Sequence, residues 1–276
     1  MVVHQSLEDL VIKTRDGTLY CGDSVSDRRL HMFGTNNTRR HTKVIRATLA
    51  IFLLITLCGV LIVPALGQQN ARTKDAARHT GDASEAFSDV MNVKDKAIPR
   101  ELLNKAEAIA VFPGVLKAAF LVGGRGGQGV ISRRVKGGWS APAFFNLSGG
   151  SFGPQFGAQK TDYILLIMNT EGMNGLLKDK FEIGGEASVA AGPVGREAAA
   201  STNPRLDAGI ISYSRSKGVF LGAALKGAVI SPDNDLNEAI YGKNATELLQ
   251  GKTMSFSQMP ASVRIFPRTL VRYSIR

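Results

Sequence analysis

Three textures of apolar and polar positions succeed one another along the chain. From Leu49 to Val63 the residues LAIFLLITLCGVLIV carry no charge at all. Ala83, Ala86, Phe87, Val90 and Met91 then recur at i, i+3, i+4, i+7 and i+8, the spacing of an amphipathic helix. Asp82 and Glu85 form a capping-box pair that sets its start, with a polar helical stretch over 71–80 before it. A second helix is expected from Pro99, with Leu102, Leu103, Ala106, Ile109 and Ala110 as its apolar face and Pro113-Gly114 as its stop. From Val115 the texture changes to short apolar runs bounded by glycine, proline, asparagine and serine, which read as strands and hairpins. Tyr163–Met168 is continuously apolar, so it is expected to be a central strand or one covered on both faces. Phe181, Ile183, Ala187, Val189 and Ala191 alternate with polar positions, as in a half-buried strand. Short helices are expected around Met173–Leu177, Leu236–Tyr241 and Ala245–Leu249.

Glycine sharpens this picture. Twenty-four of the 30 glycines fall between Gly114 and Gly251, a density that implies bulges, bends and close backbone approaches. The expected fold class is therefore α+β: a curved, glycine-rich, mainly antiparallel sheet or partial barrel with flanking helices. Within it, Gly123–Gly129 is expected to be a tight turn that holds Arg125 at a hairpin tip.

The first 67 residues read as an address. Arg39, Arg40, His41, Lys43 and Arg46 precede the apolar run, and Ala65 and Gly67 stand at the −3 and −1 positions before Gln68. This describes a secretory signal peptide. Extended over 47–66, the same run approaches the roughly 20 residues of a membrane-spanning anchor. Both readings export the remainder to a periplasmic, secreted or envelope-associated position. Residues 1–31 lack pattern, and Met32 opens an ordinary basic leader, so 1–31 reads as an over-extended start. The expected divisions are 1–67, a helical segment over 68–97, a domain over 98–251 and a basic segment over 252–276.

Charge and cysteine narrow the chemistry. The chain has 34 lysines and arginines against 23 acids, a net of +11. Eight of those bases and five of those acids lie before Gln68, which leaves +8 beyond it. Such a surface seeks anionic partners. Export disfavours nucleic acid and leaves anionic membrane surfaces. Cys21 and Cys58 both precede Gln68, so neither a disulfide framework nor a thiol nucleophile is expected beyond it. Gly124-x-Gly126-x-x-Gly129 matches a dinucleotide fingerprint, but Val130–Val135 continues as strand where a helix is required. Gly149-Gly150-Ser151-Phe152-Gly153 matches a nucleophile elbow, yet no histidine follows His79. Gly251-Lys252-Thr253 lacks the first glycine of a phosphate loop, since Thr246 stands there. Glu182 and Glu186 would lie ~13 Å apart on one strand face, too far for paired carboxylate catalysis. No enzyme activity, cofactor or metal is expected.

The segments IPRELLNKAEAIAVFPGV, GGRGGQGVISRR, GWSAPAFFNLSGGSFGPQFGAQKTDYILLIMN, VAAGPVGREA and SYSRSKGVFLGAALKGAVI, followed by Asn237–Tyr241-Gly242, resemble in order the SYLF domain family, also called the Ysc-type actin-binding family. The likeness covers some 150 residues, and exported bacterial members are the most similar. It implies a non-enzymatic module that binds anionic phospholipid or phosphoinositide headgroups, with an actin-binding role in fungal relatives. The alternative is a structural or protein-interaction module of the envelope. The residues expected to meet lipid are Arg125, Arg133, Arg134, Lys136, Arg215 and Lys217, with Phe87 on the first amphipathic helix. Arg264, Arg268, Arg272 and Arg276 of the tail, interleaved with Phe266 and Tyr273, stand in reserve.

Overall fold

A computed structural model describes residues 68–93, 97–120, 122–152, 157–185, 187–194, 208–223, 225–251 and 254–274. The expectations for the leader, the anchor and Met32 fall outside these residues. The elements in chain order are α1 (68–91), α2 (Arg100–Lys105), β1 (Ala108–Phe120), β2 (Val122–Val135), β3 (Gly138–Trp139), β4 (Ala143–Phe152) and β5 (Gly157–Ile167). They continue with α3 (Thr170–Leu176), β6 (Phe181–Glu182), β7 (Val189–Ala191), β8 (Ile210–Ser216), β9 (Val219–Gly222) and β10 (Ala228–Pro232). The chain then forms α4 (Asn234–Tyr241), α5 (Ala245–Leu249), a 3-10 turn (Ala261–Val263) and α6 (Ile265–Tyr273).

One ten-stranded sheet runs in the order β6-β10-β4-β2-β1-β5-β8-β7, with β3 beside β2 and β9 beside β8. Every pairing of named strands is antiparallel except β7 with β8. The sheet curls into a half-barrel with flanking helices, as glycine density implied. At its centre lie β1 and β5, whose stretches Ala108–Phe112 and Ile164–Ile167 are buried on both faces. Unbroken apolar composition is what a strand covered on both sides requires.

The same principle corrects the second predicted helix. It ends at Lys105, and Ile109 and Ala110 belong to β1. Ala-Ile-Ala-Val-Phe is apolar at every position, so its helical spacing was incidental, and pairing with β2 and β5 satisfies its backbone on both sides. Pro113-Gly114 does not stop an element either. It forms a bulge inside β1, where Gly114 takes φ +57° and its amide donates to Asp162 Oδ1 at 2.7 Å.

Gly123–Gly129 is likewise strand and not turn, and none of its glycines has positive φ. Glycine is needed there for space. A Cβ on Gly129 would overlap the Val111 carbonyl oxygen and sit 2.5 Å from the Phe112 ring, and one on Gly127 would sit 2.8 Å from Val115 Cγ2. The β1 bulge presses directly onto these positions.

The first amphipathic helix also begins earlier than its capping pair suggested. Helix continues through Asp82, because Ala76, His79 and Thr80 extend the buried face formed by Ala83, Phe87 and Val90. Arg215 of β8 fastens α1 to the sheet, donating to Asp89 at 2.6 Å and to Asp162 at 3.0 Å. The alternating run after Phe181 breaks at Gly184-Gly185, leaving a two-residue β6 and a separate β7. Helices α3, α4 and α5 fall where expected. Asn237 of α4 mimics a neighbouring strand: its side chain accepts from Phe144 N at 2.8 Å and donates to Phe144 O at 3.1 Å. Met259, Val263, Phe266 and Leu270 join α1 and the sheet in one core.

Candidate functional site

The β2–β3 hairpin gathers the largest share of the predicted basic residues. Val135 pairs with Gly138, so Lys136 and Gly137 form a two-residue turn, and Gly137 takes the φ of +87° that such a turn demands. Lys136 stands exposed at the turn and lines three grooves. One, of about 500 Å³, is polar and is walled by Lys105, Glu107, Arg133, Arg134 and Thr170. A second, of about 330 Å³, separates the hairpin from residues 254–259 and α6. The third, of about 410 Å³, lies between the hairpin and the end of α6, at Val271 and Ser274.

Neighbouring strand positions point to opposite faces, and Arg133 and Arg134 do so. Arg133 donates to Leu249 O at 3.2 Å, at the end of α5. Arg134 donates to Ala106 O at 3.0 Å and to Leu103 O, and so satisfies carbonyls at the end of α2. Its guanidinium also lies 4.3 Å from the centre of the Trp139 ring. Both arginines thus hold helix ends in place, and their remaining surface faces the polar groove.

Helix α6 supplies the far wall of the second and third grooves. Phe266 and Leu270 face the core, while Ile265, Arg268, Val271 and Arg272 are exposed along the other side. Pro267 sits in the first turn, where an amide is not needed. Phe256 lies under two guanidinium groups, Arg268 at 4.9 Å and Arg264 at 5.6 Å. Arg264 also donates to Ser257 O and Met259 O, each at 2.8 Å, which ties the 257–259 loop to α6. Trp139 is 5% exposed and donates its indole N–H to Ser274 Oγ at 2.9 Å. No ion pair joins Lys136, Arg268 or Arg272 to an acid among the described residues.

The other candidates lie elsewhere. Arg125 is nine positions before Arg134 on β2, about 30 Å along the strand. It is not at a tip: its guanidinium lies across Gly149-Gly150 of β4, 3.3 Å from Lys226 O. Arg215 is engaged with Asp89 and Asp162, and Lys217 sits in the β8–β9 turn at φ +48°. Two strands separate β8 from β2, so these residues are roughly 14 Å from the hairpin strand. Phe87 is fully buried, edge-on to Tyr273 at 5.9 Å. Lys105, Trp139, Phe256 and Val271 were not singled out from the sequence. The i, i+3, i+6, i+7 exposure of Ile265, Arg268, Val271 and Arg272 was the one local signal available for the α6 wall.

The arrangement suits binding. Cations, a thin apolar wall and aromatic faces attract anions and amphiphiles. The groups with shifted pKa values lie outside the three grooves. His79 lies in α1, and burial, reinforced by Arg78, lowers its pKa below the usual histidine value. Burial raises the pKa of Tyr213 and of Tyr241. No group of three or more metal-ligating side chains occurs among the described residues, and no helix among them is long and apolar enough to cross a membrane. Ser151 of the elbow-like motif lies inside β4, and the next described element is the strand β5, whereas such a nucleophile leads into a helix.

Residues 148–272 match the family model described as Ysc84, Las17-binding protein actin regulator. Protein YSC84 of Saccharomyces cerevisiae is 37% identical over 164 residues, covering 57% of this chain and 35% of that protein. LAS seventeen-binding protein 3 of the same species is 37% identical over 156 residues, covering 55% and 34%. The human SH3 domain-containing YSC84-like protein 1 is 30% identical over 194 residues, covering 69% and 56%. The chain thus spans about a third of the yeast relatives and just over half of the human one. These names describe binding and regulator proteins rather than enzymes. The chain is a member of the SYLF (Ysc84) domain family.

Proposed function

We propose that this chain is a non-catalytic module that docks on anionic phospholipid surfaces through the β2–β3 hairpin and the outer face of α6. One observation carries the reading. Lys136, Arg268 and Arg272 are exposed beside Ile265, Val271 and Phe256, and no acid among the described residues pairs with those cations. A cation near an anionic bilayer contributes about 1 kcal/mol, and exposed apolar side chains add contact with the headgroup boundary. Arg133 and Arg134 support the site by fixing the hairpin against α2 and α5. Cosedimentation of the full chain with phosphatidylglycerol vesicles and with phosphatidylcholine vesicles tests it. Binding should require the anionic lipid and weaken as salt rises, because screening shortens to ~8 Å at ~0.15 M. Equal binding to both vesicle types would remove the proposal.

A second reading is favoured by the relatives' names, which describe binding of LAS seventeen and regulation of actin. On that reading the same face meets an acidic protein, and the chain binds it without vesicles present. Export remains part of the proposal and rests on Arg39–Gln68. N-terminal sequencing of the mature protein checks it; a mature chain that begins before Arg39 and stays in the cytoplasm would refute it.

A further inference from the structure

The 330 Å³ groove between the hairpin and α6 is more than a strip of surface. Its floor is formed by Trp139, Met259 and Pro267, all buried. Its rim is formed by Met254, Phe256 and Val271, of which Phe256 is 40% and Val271 50% exposed. Lys136 stands on the hairpin side and Arg268 on the helix side, and no acid lines the groove among the described residues. The volume falls in the range of about 300–1,000 Å³ typical of small-molecule sites. Two methionines give adaptable walls that accept a flexible aliphatic chain. Gly138 leaves the hairpin wall low beside Val271, whose Cγ2 would lie 3.7 Å from a Cβ at that position.

We infer that this groove binds a single-chain anionic amphiphile, taking the aliphatic chain between Trp139, Met259 and Val271 and the carboxylate or phosphate head between Lys136 and Arg268. Charge complementarity selects the head: two exposed cations flank an apolar slot, with no acid in its lining among the described residues. Fixed cations repel a cationic amphiphile and gain nothing from a neutral one, whereas an anion forms charge-assisted hydrogen bonds with both. The inference rests on the cation set used in the membrane proposal, but it concerns a monomeric ligand and can fail separately.

Trp139 is the chain's single tryptophan and lies in the groove floor, so its emission reports occupancy there. The full chain is titrated with dodecanoate below its micelle-forming concentration, with dodecanol, and with inorganic phosphate. Saturable change in Trp139 emission is expected with dodecanoate. Dodecanol should bind at least about tenfold more weakly, because its neutral hydroxyl loses the charge assistance of both hydrogen bonds. Phosphate alone should leave the emission unchanged. Val271→Glu and Arg268→Gln, both at exposed positions, should each weaken dodecanoate by about tenfold, with thermal midpoints within about 4 °C of the wild type. Dodecanoate binding that survives Val271→Glu, or dodecanol binding as tightly as dodecanoate, overturns the inference. So does light scattering that shows a dimer dissociated by Val271→Glu, because the groove then holds a second copy. Vesicle binding without dodecanoate binding overturns this inference alone. Dodecanoate binding without vesicle binding overturns the membrane proposal alone.

Discussion

Phe87→Ala distinguishes a helix that inserts into membrane from one that completes the core. Phe87 is fully buried on the inner face of α1, and its ring meets Tyr273 edge-on at 5.9 Å and 70°. Truncating a buried phenylalanine to alanine costs about 3–5 kcal/mol through lost transfer energy and the cavity left behind. The edge-on contact with Tyr273 is part of that loss, and the middle of the range, ~4 kcal/mol, is the expected value. A unit of about 150–250 residues shifts by roughly 2–4 °C per kcal/mol, so the midpoint should fall by roughly 8–16 °C. Circular dichroism melts of the full chain measure that shift. Vesicle cosedimentation well below both midpoints should show affinity unchanged, since Phe87 offers no surface to a bilayer. A variant with an unshifted melt and lost vesicle binding would refute the reasoning, because Phe87 would then act outside the core.

Further consequences are open to the same measurements. Gly129→Ala should cost about 3 kcal/mol in chemical denaturation, since the new methyl collides with the Val111 carbonyl and the Phe112 ring; a neutral substitution would mean that the β1 bulge yields easily. Arg134→Ala should lower stability by about 1–3 kcal/mol by releasing the Leu103 and Ala106 carbonyls and the Trp139 stack, and an unchanged melt would show that the α2 end needs no such cap. His79 is the one histidine after residue 67, and burial lowers its folded pKa below ~6.5. Its unfolded form binds the proton more readily, so its contribution is complete above ~6.5 and is lost as pH falls below that value toward the folded pKa. Thermal midpoints between pH 7.5 and 5 should therefore fall in the wild type and change less in His79→Leu; equal slopes would exclude this histidine as the cause.

Much of the fold was legible because some patterns have one physical solution. The unbroken Tyr163–Met168 stretch called for a central strand or one covered on both faces, and β5, which ends at Ile167, lies between β1 and β8 with Ile164–Ile167 buried. Asp233 and Asn244 cap α4 and α5, with Asn244 and Glu247 forming a reciprocal capping box, so those helix starts carried local signatures. Ala108–Phe112 misled because a run that is apolar at every position fits a helix and a strand equally, and sheet pairing decided between them. Gly123–Gly129 misled because glycine serves turns by positive φ and strands by small size. Only the bulge at Pro113-Gly114, which is a tertiary fact, chooses the second. The site was half legible. Arg133, Arg134 and Lys136 formed a visible basic run, and the structure keeps them around one hairpin. Arg268, Val271 and Phe256 reach that hairpin from more than a hundred positions away, and no local pattern announces such a meeting. Arg125, Arg215 and Lys217 were grouped by charge alone, whereas strand order separates them.

The central claim is that the hairpin and α6 form the anionic-surface site. It is tested most directly by cosedimentation of the full chain and its Lys136→Gln/Arg268→Gln variant with phosphatidylglycerol vesicles across a salt series. Both side chains are exposed and belong to no ion pair among the described residues, so the variant should keep the wild-type melt within about 1 kcal/mol. At about 1 kcal/mol per cation, the account predicts a loss of ~2 kcal/mol at low salt, close to 30-fold in affinity. That difference should shrink as salt rises toward ~0.5 M. Equal affinity of the two proteins at low salt would contradict the account and place the anionic surface elsewhere on the molecule.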